Sequence, residues 1–141
     1  MSVTFQFDLV TPEKRLVSQE EMMLTVPGAE GYFGVLPGHA PLVSLLSVGV
    51  LTMGEGRQAV RYAVAGGYAE ILPDRATILA DRAVCWDSID PVAVEKEKSE
   101  AATQEAATRE DESASRYWQK QRAFAAVCLE VHKRYLERDS A

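Results

Sequence analysis

Tyr68-Ala69-Glu70-Ile71-Leu72-Pro73-Asp74-Arg75-Ala76-Thr77-Ile78-Leu79-Ala80 is followed, ten residues on, by Asp90-Pro91-Val92-Ala93-Val94. The fold is decided by the change of grammar between these two stretches. The first holds two short strand-like runs joined by Pro73-Asp74-Arg75, a turn sequence, so it reads as a β-hairpin. Gly66-Gly67 stands just before it as a break or bulge. The second opens with an aspartate suited to cap a helix and a proline suited to its first position, where a missing N–H costs nothing. A β unit ends and a helical unit begins near Trp86.

Toward the N-terminus the period-two signal continues. Val3, Phe5, Phe7 and Leu9 share one face and Thr4, Gln6 and Asp8 the other, until Pro12 ends the run. Met22, Leu24 and Val26 repeat it. Val48 to Met53 and Gln58 to Ala65 read as strands joined through Gly54-Glu55-Gly56-Arg57. Short strands with frequent turns and no helical period between them predict an all-β sandwich or barrel over residues 1–86.

Toward the C-terminus residues 87–141 predict an antiparallel two-helix hairpin. The first helix is expected from Pro91 to about Arg109, with Asp90 as its N-cap and a thin apolar face of Val94, Ala101, Ala102 and Ala106. Ser113 or Ser115 is expected to cap a second helix reaching about Arg138. Its fuller stripe is Tyr117, Phe124, Cys128, Val131 and Tyr135, with Gln121 at the missing step. Small residues on one helix and aromatic ones on the other suit mutual packing.

The net charge of −6 over 141 residues leaves no basic footprint for nucleic acid. Charge is nonetheless uneven: residues 87–112 hold nine acids and three bases, whereas 113–141 hold three acids and six bases. Those six are Arg116, Lys120, Arg122, Lys133, Arg134 and Arg138, a candidate basic face. Cys85 and Cys128 fit no metal or redox spacing and read as reduced, semi-buried thiols. Residues 1–8 lack the basic start and apolar run of a signal peptide, and no apolar stretch is long enough to span a bilayer. A cytoplasmic chain without membrane insertion is expected.

Catalytic chemistry is not expected. Two histidines, His39 and His132, are too few for a histidine-built metal site, and phosphate-loop, dinucleotide and nucleophile-elbow motifs are absent. Ser44 with His39 lacks an orienting acid and an oxyanion hole.

The densest stretch is Pro27 to Leu42, with four of the nine glycines and three of the six prolines. Its backbone must turn repeatedly, either as two tight turns around a short strand or as a rigid surface presenting Glu30, Tyr32 and His39. Glu30-Gly31-x-x-Gly34-x-x-Pro37-Gly38-His39-Ala40-Pro41-Leu42, then Ala65-Gly66-Gly67-x-x-Glu70, then Thr77-Ile78-Leu79-Ala80-Asp81, resembles the epsilon subunits of bacterial F-type ATP synthases. The resemblance spans the whole chain.

It implies a sandwich of about ten strands followed by two helices. It also implies a place in the central stalk at the cytoplasmic face of the bacterial inner membrane, peripheral through the complex. The partners it implies are the gamma subunit, the c ring and, transiently, the α/β catalytic subunits. Carried onto this chain, His39 and Ser44 are candidates for gamma contact, and Glu30 and Tyr32 for c-ring contact. An acidic residue is usual where Tyr32 stands, which puts a simple ion pair there in doubt. Hydrogen bonding within its own turn is an equal alternative for His39. Some members bind ATP through Ile-Asp-x-x-Arg-Ala; this chain keeps Ile89-Asp90 but has Ala93-Val94 next, so no cofactor is expected. The implied function is to couple gamma to the c ring and to inhibit ATP hydrolysis through the helices. A free-standing β-sandwich module for a ligand or peptide is the alternative, and stable co-purification with gamma separates the two. A third reading lays the second helix on a membrane surface through its bases and Tyr117, Trp118 and Phe124.

Overall fold

The computed structural model describes residues 3–139, so Met1 and Ser2 of the sandwich unit, and Ser140 and Ala141 of the hairpin unit, lie outside it. The strands are β1 (Phe5–Val10), β2 (Arg15–Glu21), β3 (Leu24–Gly28), β4 (Gly31–Val35), β5 (Leu42–Leu45), β6 (Gly49–Met53), β7 (Val60–Leu72) and β8 (Arg75–Cys85). Short 3₁₀ turns lie at Gly56–Gln58 and Trp86–Ser88, and helices α1 (Pro91–Ala107) and α2 (Glu112–Glu137) follow the second.

The long β7–β8 hairpin organises everything else. Gly66 and Gly67 do not break β7: both take positive φ, 66° and 97°. Pairing keeps its register across them, from Ala65↔Arg82 to Gly67↔Ala80. The glycines bend the ribbon. A β-carbon at Gly67 would run into the Leu79 carbonyl, so the bend requires glycine there. One half of β7 pairs with β6 and the other with β5, while the first half of β8 lies parallel to β1. The sheet thereby folds over itself into two layers, β2-β1-β8-β7-β5 and β4-β3-β6-β7-β8. The eight strands supply ten strand segments because β7 and β8 run through both layers.

Phe7, Leu9, Ile71 and Ile78 from one layer meet Leu24, Val26, Leu51 and Val64 from the other, all essentially inaccessible. Burial of this apolar area is what holds the layers together. Val3 departs from its expected place: it precedes β1 and is exposed, because β1 begins its pairing at Phe5↔Glu21.

Asp90 caps α1, accepting hydrogen bonds from the Val92 and Ala93 amides at 3.1 and 3.4 Å. Of the thin stripe only Ala101 is buried and Val94 half-buried; Ala102 and Ala106 face solvent. The cap of α2 is Asp111, which accepts from the Ala114 amide at 3.1 Å, rather than Ser113 or Ser115. The Asp111 amide donates to the Thr108 carbonyl, so the connection closes early, and Glu112 then favours the helix start electrostatically.

Most of the stripe of α2 packs on the sandwich, with Val94 of α1 joining the cluster and Tyr117 left exposed. Phe124, Cys128 and Val131 are buried against Val50, Ala63, Trp86 and Ile89. Trp86 and Tyr135 meet edge to face at 5.4 Å, Arg82 stacks over Phe124 at 4.4 Å, and Gln121 accepts from Arg82 at 2.9 Å. Sheets leave an outer apolar face that must be covered, and α2 covers this one. Helix α1 packs chiefly on α2, through a Glu105–Arg122 ion pair of 2.7 Å.

Candidate functional site

Two ends of the sandwich carry the candidate residues, and β5 runs between them. At one end Leu36-Pro37-Gly38-His39 forms a turn closed by the His39 amide on the Leu36 carbonyl at 3.1 Å. Proline followed by a positive-φ glycine, here Gly38 at 86°, is what such a turn demands. The Gly38 amide donates to the Pro73 carbonyl at 2.7 Å, tying this loop to the β7–β8 turn. His39 is half-buried, and its Nδ1 lies 2.7 Å from the Ala40 carbonyl, so that nitrogen carries the proton and donates. Ser44 donates to the Leu45 carbonyl at 3.0 Å and pairs in register with Ala69, a core residue. Its side chain therefore belongs to the inner side of β5.

At the other end the β3–β4 turn carries Glu30, exposed, and is pinned by the Ala29 amide donating to the Leu45 carbonyl at 2.8 Å. Tyr32 presents most of its ring to solvent, yet its hydroxyl accepts from the Val50 amide at 2.9 Å. A β-carbon on Gly49 would sit 2.7 Å from both Pro27 Cβ and Tyr32 Oη, so glycine there lets the phenol reach the β6 backbone. Tyr32 fastens the turn as well as facing outward. His39 and Glu30 are thus not one cluster; β5, roughly 10 Å of strand, separates their loops.

Between them lies a surface that sequence reasoning missed. Val43 and Leu45 are 68% and 69% exposed, and Tyr68 and Leu72 on neighbouring β7 are 46% and 37% exposed. Val43 pairs with Glu70 and Leu45 with Tyr68, so all share the outer side of one layer. The run Leu42-Val43-Ser44-Leu45 held the signal: apolar residues on both faces of a short strand leave one apolar face uncovered. An exposed apolar cluster of this kind, here with exposed Glu70 between Tyr68 and Leu72, marks an interaction surface.

The six bases of α2 are not equivalent. Arg116 pairs with Glu112 at 2.8 Å and Arg122 with Glu105 at 2.7 Å. Arg138 lies over Tyr135 at 3.9 Å and 3.6 Å from Asp139. Lys120 borders a crevice with Asp81 and Arg82, Lys133 is exposed, and Arg134 borders a groove containing Arg61. The hydrogen bond from Arg122 holds the Glu105 carboxyl below its usual range. Burial pushes the Cys128 thiol up to about 11 and the Tyr62 phenol up to about 12, and raises Cys85. Neither thiol is primed as a nucleophile. Among the described residues no three potential metal ligands cluster, and no helix is long and apolar enough to cross a membrane.

An uncovered apolar sheet face flanked by two loops, beside helices fastened along one seam, has the form of a docking subunit. The β-sandwich domain of the ATP synthase delta/epsilon chain matches residues 4–85. An ATP synthase epsilon chain from Magnetococcus marinus is 52% identical over 96 residues, covering 68% of this chain and 70% of that one. Another from Desulforamulus reducens is 42% identical over 109 residues, covering 77% and 79%. The chain belongs to the ATP synthase epsilon family, whose members are non-catalytic subunits. A chain in a cryo-EM structure of the Euglena gracilis mitochondrial ATP synthase shares the fold, with a TM-score of 0.75 at 22% identity over 90% of this chain and 80% of that one.

Proposed function

We propose that this chain works in the central stalk of a proton-translocating F-type ATP synthase, on the cytoplasmic side of a bacterial membrane. Its sandwich joins the gamma subunit to the c ring, and its hairpin restrains ATP hydrolysis. The observation that carries the reading is the outer face of β5 and β7, where Val43, Leu45, Tyr68 and Leu72 form an uncovered apolar patch. Gamma docks there, with His39 at one margin, and Glu30 and Tyr32 meet the c ring from the opposite end of β5. His39 spends its Nδ1 proton on its own loop, so its part in the contact is to hold that loop.

The hairpin offers a second state. Its seam on the sandwich is one apolar strip plus the Arg82–Phe124 cation–π contact and the Arg82–Gln121 hydrogen bond, and partner contacts with the α/β subunits compete with it. Arg116 and Arg122 are paired internally when the hairpin is closed, so Lys120, Lys133 and Arg134 supply the free positive charge for that docking. No nucleotide is expected at Ile89-Asp90, because Ala93-Val94 follow where a cationic partner for a phosphate would stand.

Reconstitution tests both halves. Hydrolysis by the catalytic complex is compared with the full chain, a chain ending near Asp87, and no added chain. The expected result is inhibition by the full chain alone; equal restraint by the truncated chain refutes the hairpin's role. For the sandwich, Val43→Asp with Leu45→Asp abolishes co-purification with gamma while the isolated variant stays folded. Undiminished association refutes the patch.

A further inference from the structure

Strand β5 is the outer strand of its layer, and two hydrogen bonds fix which way its backbone groups point. The Leu46 amide donates to the Gly67 carbonyl of β7 at 2.9 Å, and on the opposite side the Leu45 carbonyl accepts from the Ala29 amide at 2.8 Å. In an antiparallel pair the N–H and C=O of one residue point the same way, and the direction alternates along the strand. Ser44 therefore bonds toward β7, whereas Val43 and Leu45 point off the sheet. The Leu45 carbonyl is engaged, so the Val43 N–H, the Val43 C=O and the Leu45 N–H form a short open edge with no partner among the described residues.

Free edges are usually blunted by charge, bulge or proline. At the far edge of the same layer β2 carries Arg15, Glu20 and Glu21, and the β1–β2 register shifts between Leu9 and Val10. β5 reads Leu42-Val43-Ser44-Leu45, without charge, and its register against β7 is unbroken. The open backbone groups belong to the same two residues whose side chains are most exposed in the patch, Val43 and Leu45. Given that gamma docks at this patch, as proposed above, we infer that the edge is completed by an extended segment of gamma, added as a further strand through the Val43 N–H and C=O. In this mode main-chain bonds supply affinity, and the apolar patch selects the side chains of the added strand.

Two substitutions at one residue test it. Val43→Pro keeps most of the apolar bulk, removes the N–H and projects its ring off the edge, where proline is tolerated. Val43→Ala keeps the N–H and loses the bulk. Affinity of the full-length chain for gamma is expected to fall from native to Val43→Ala to Val43→Pro, the last by about tenfold or more, through the lost donor and the acceptor left unpaired in gamma. Hydrogen exchange of the native chain gives a reading independent of any variant: the Val43 and Leu45 amides, fast in the isolated chain, become protected in the gamma complex. An unchanged Tm of isolated Val43→Pro shows that its loss is not one of folding; where Tm falls, the exchange result decides. Val43→Pro binding as well as Val43→Ala, or both amides staying fast in the complex, overturns strand addition. Those results together with binding abolished by Val43→Asp and Leu45→Asp leave gamma on the patch without an added strand, and binding that survives the aspartates refutes the patch itself. Sedimentation of the isolated native chain as a dimer that Val43→Pro dissociates assigns the edge to a second copy and overturns the proposal.

Discussion

Replacing Phe124 by alanine releases α2 from the sandwich and leaves the sandwich folded. Phe124 is 2% exposed and sits in the cluster between α2 and the outer sheet face, not in the cluster between the two β layers. Truncating a buried phenylalanine costs about 3–5 kcal/mol, and the Arg82 stacking at 4.4 Å is lost with it. All of that loss falls on the docking equilibrium. About 3 kcal/mol corresponds to more than a hundredfold rise in the undocked population. Cys128, buried one turn away and only 3% exposed, reports it. Peptide-resolved thiol labelling of Cys128 accelerates by about that factor where docking is fast relative to labelling. Amide protection around Phe7, Leu9 and Ile78 stays unchanged. If protection of those strands falls in step with Cys128 labelling, or if Cys128 labels at the native rate, the separation of the two cores is refuted.

Asp90→Ala removes the acceptor of the Val92 and Ala93 amides; it costs about 1 kcal/mol, seen as faster exchange in the first turn of α1 with sandwich protection unaltered. Gly67→Ala forces a side chain into a positive-φ bend and against the Leu79 carbonyl. It destabilises the sandwich by about 1–3 kcal/mol, read as a lower urea midpoint at unchanged m-value. Glu105 has a folded-state pKa depressed below 4.5 by the Arg122 hydrogen bond, so its contribution is present above pH 4.5 and is lost as pH falls through the depressed value. Amide protection factors in α1, corrected for the intrinsic pH dependence of exchange, therefore fall on acidification below about pH 4.5, and Glu105→Gln flattens that dependence.

The elements legible in the sequence were those with a strong local signature. Asp90-Pro91 announced α1 because capping is decided within four residues. Phe124, Cys128 and Val131 announced the buried stripe of α2, although their partner is chiefly the outer sheet face, joined by Val94 of α1. Gly66-Gly67 marked the right place, but a glycine pair looks the same whether a strand ends or bends; the register of β8 decides, and it is non-local. β2 was hidden by its composition, since Arg15–Glu21 is an edge strand with mostly exposed residues. The patch on β5 was hidden for the opposite reason: four nearly uniform residues carry no period. The pairing of Arg122 with Glu105, 17 residues away, depends on how the two helices meet, which charge counting along the chain cannot show.

The β7–β8 ribbon has a mechanical consequence. One length of β7 borders the strand with the exposed apolar patch, and the other forms part of the floor under α2. The layers cannot slide past one another without breaking the register of this ribbon, because the same two backbones thread both. Load taken up at the patch thus passes along covalent chain to the helix seat, without crossing a side-chain interface. A body built this way twists as a single beam, and the glycine bend at Gly66 and Gly67 is its most compliant point.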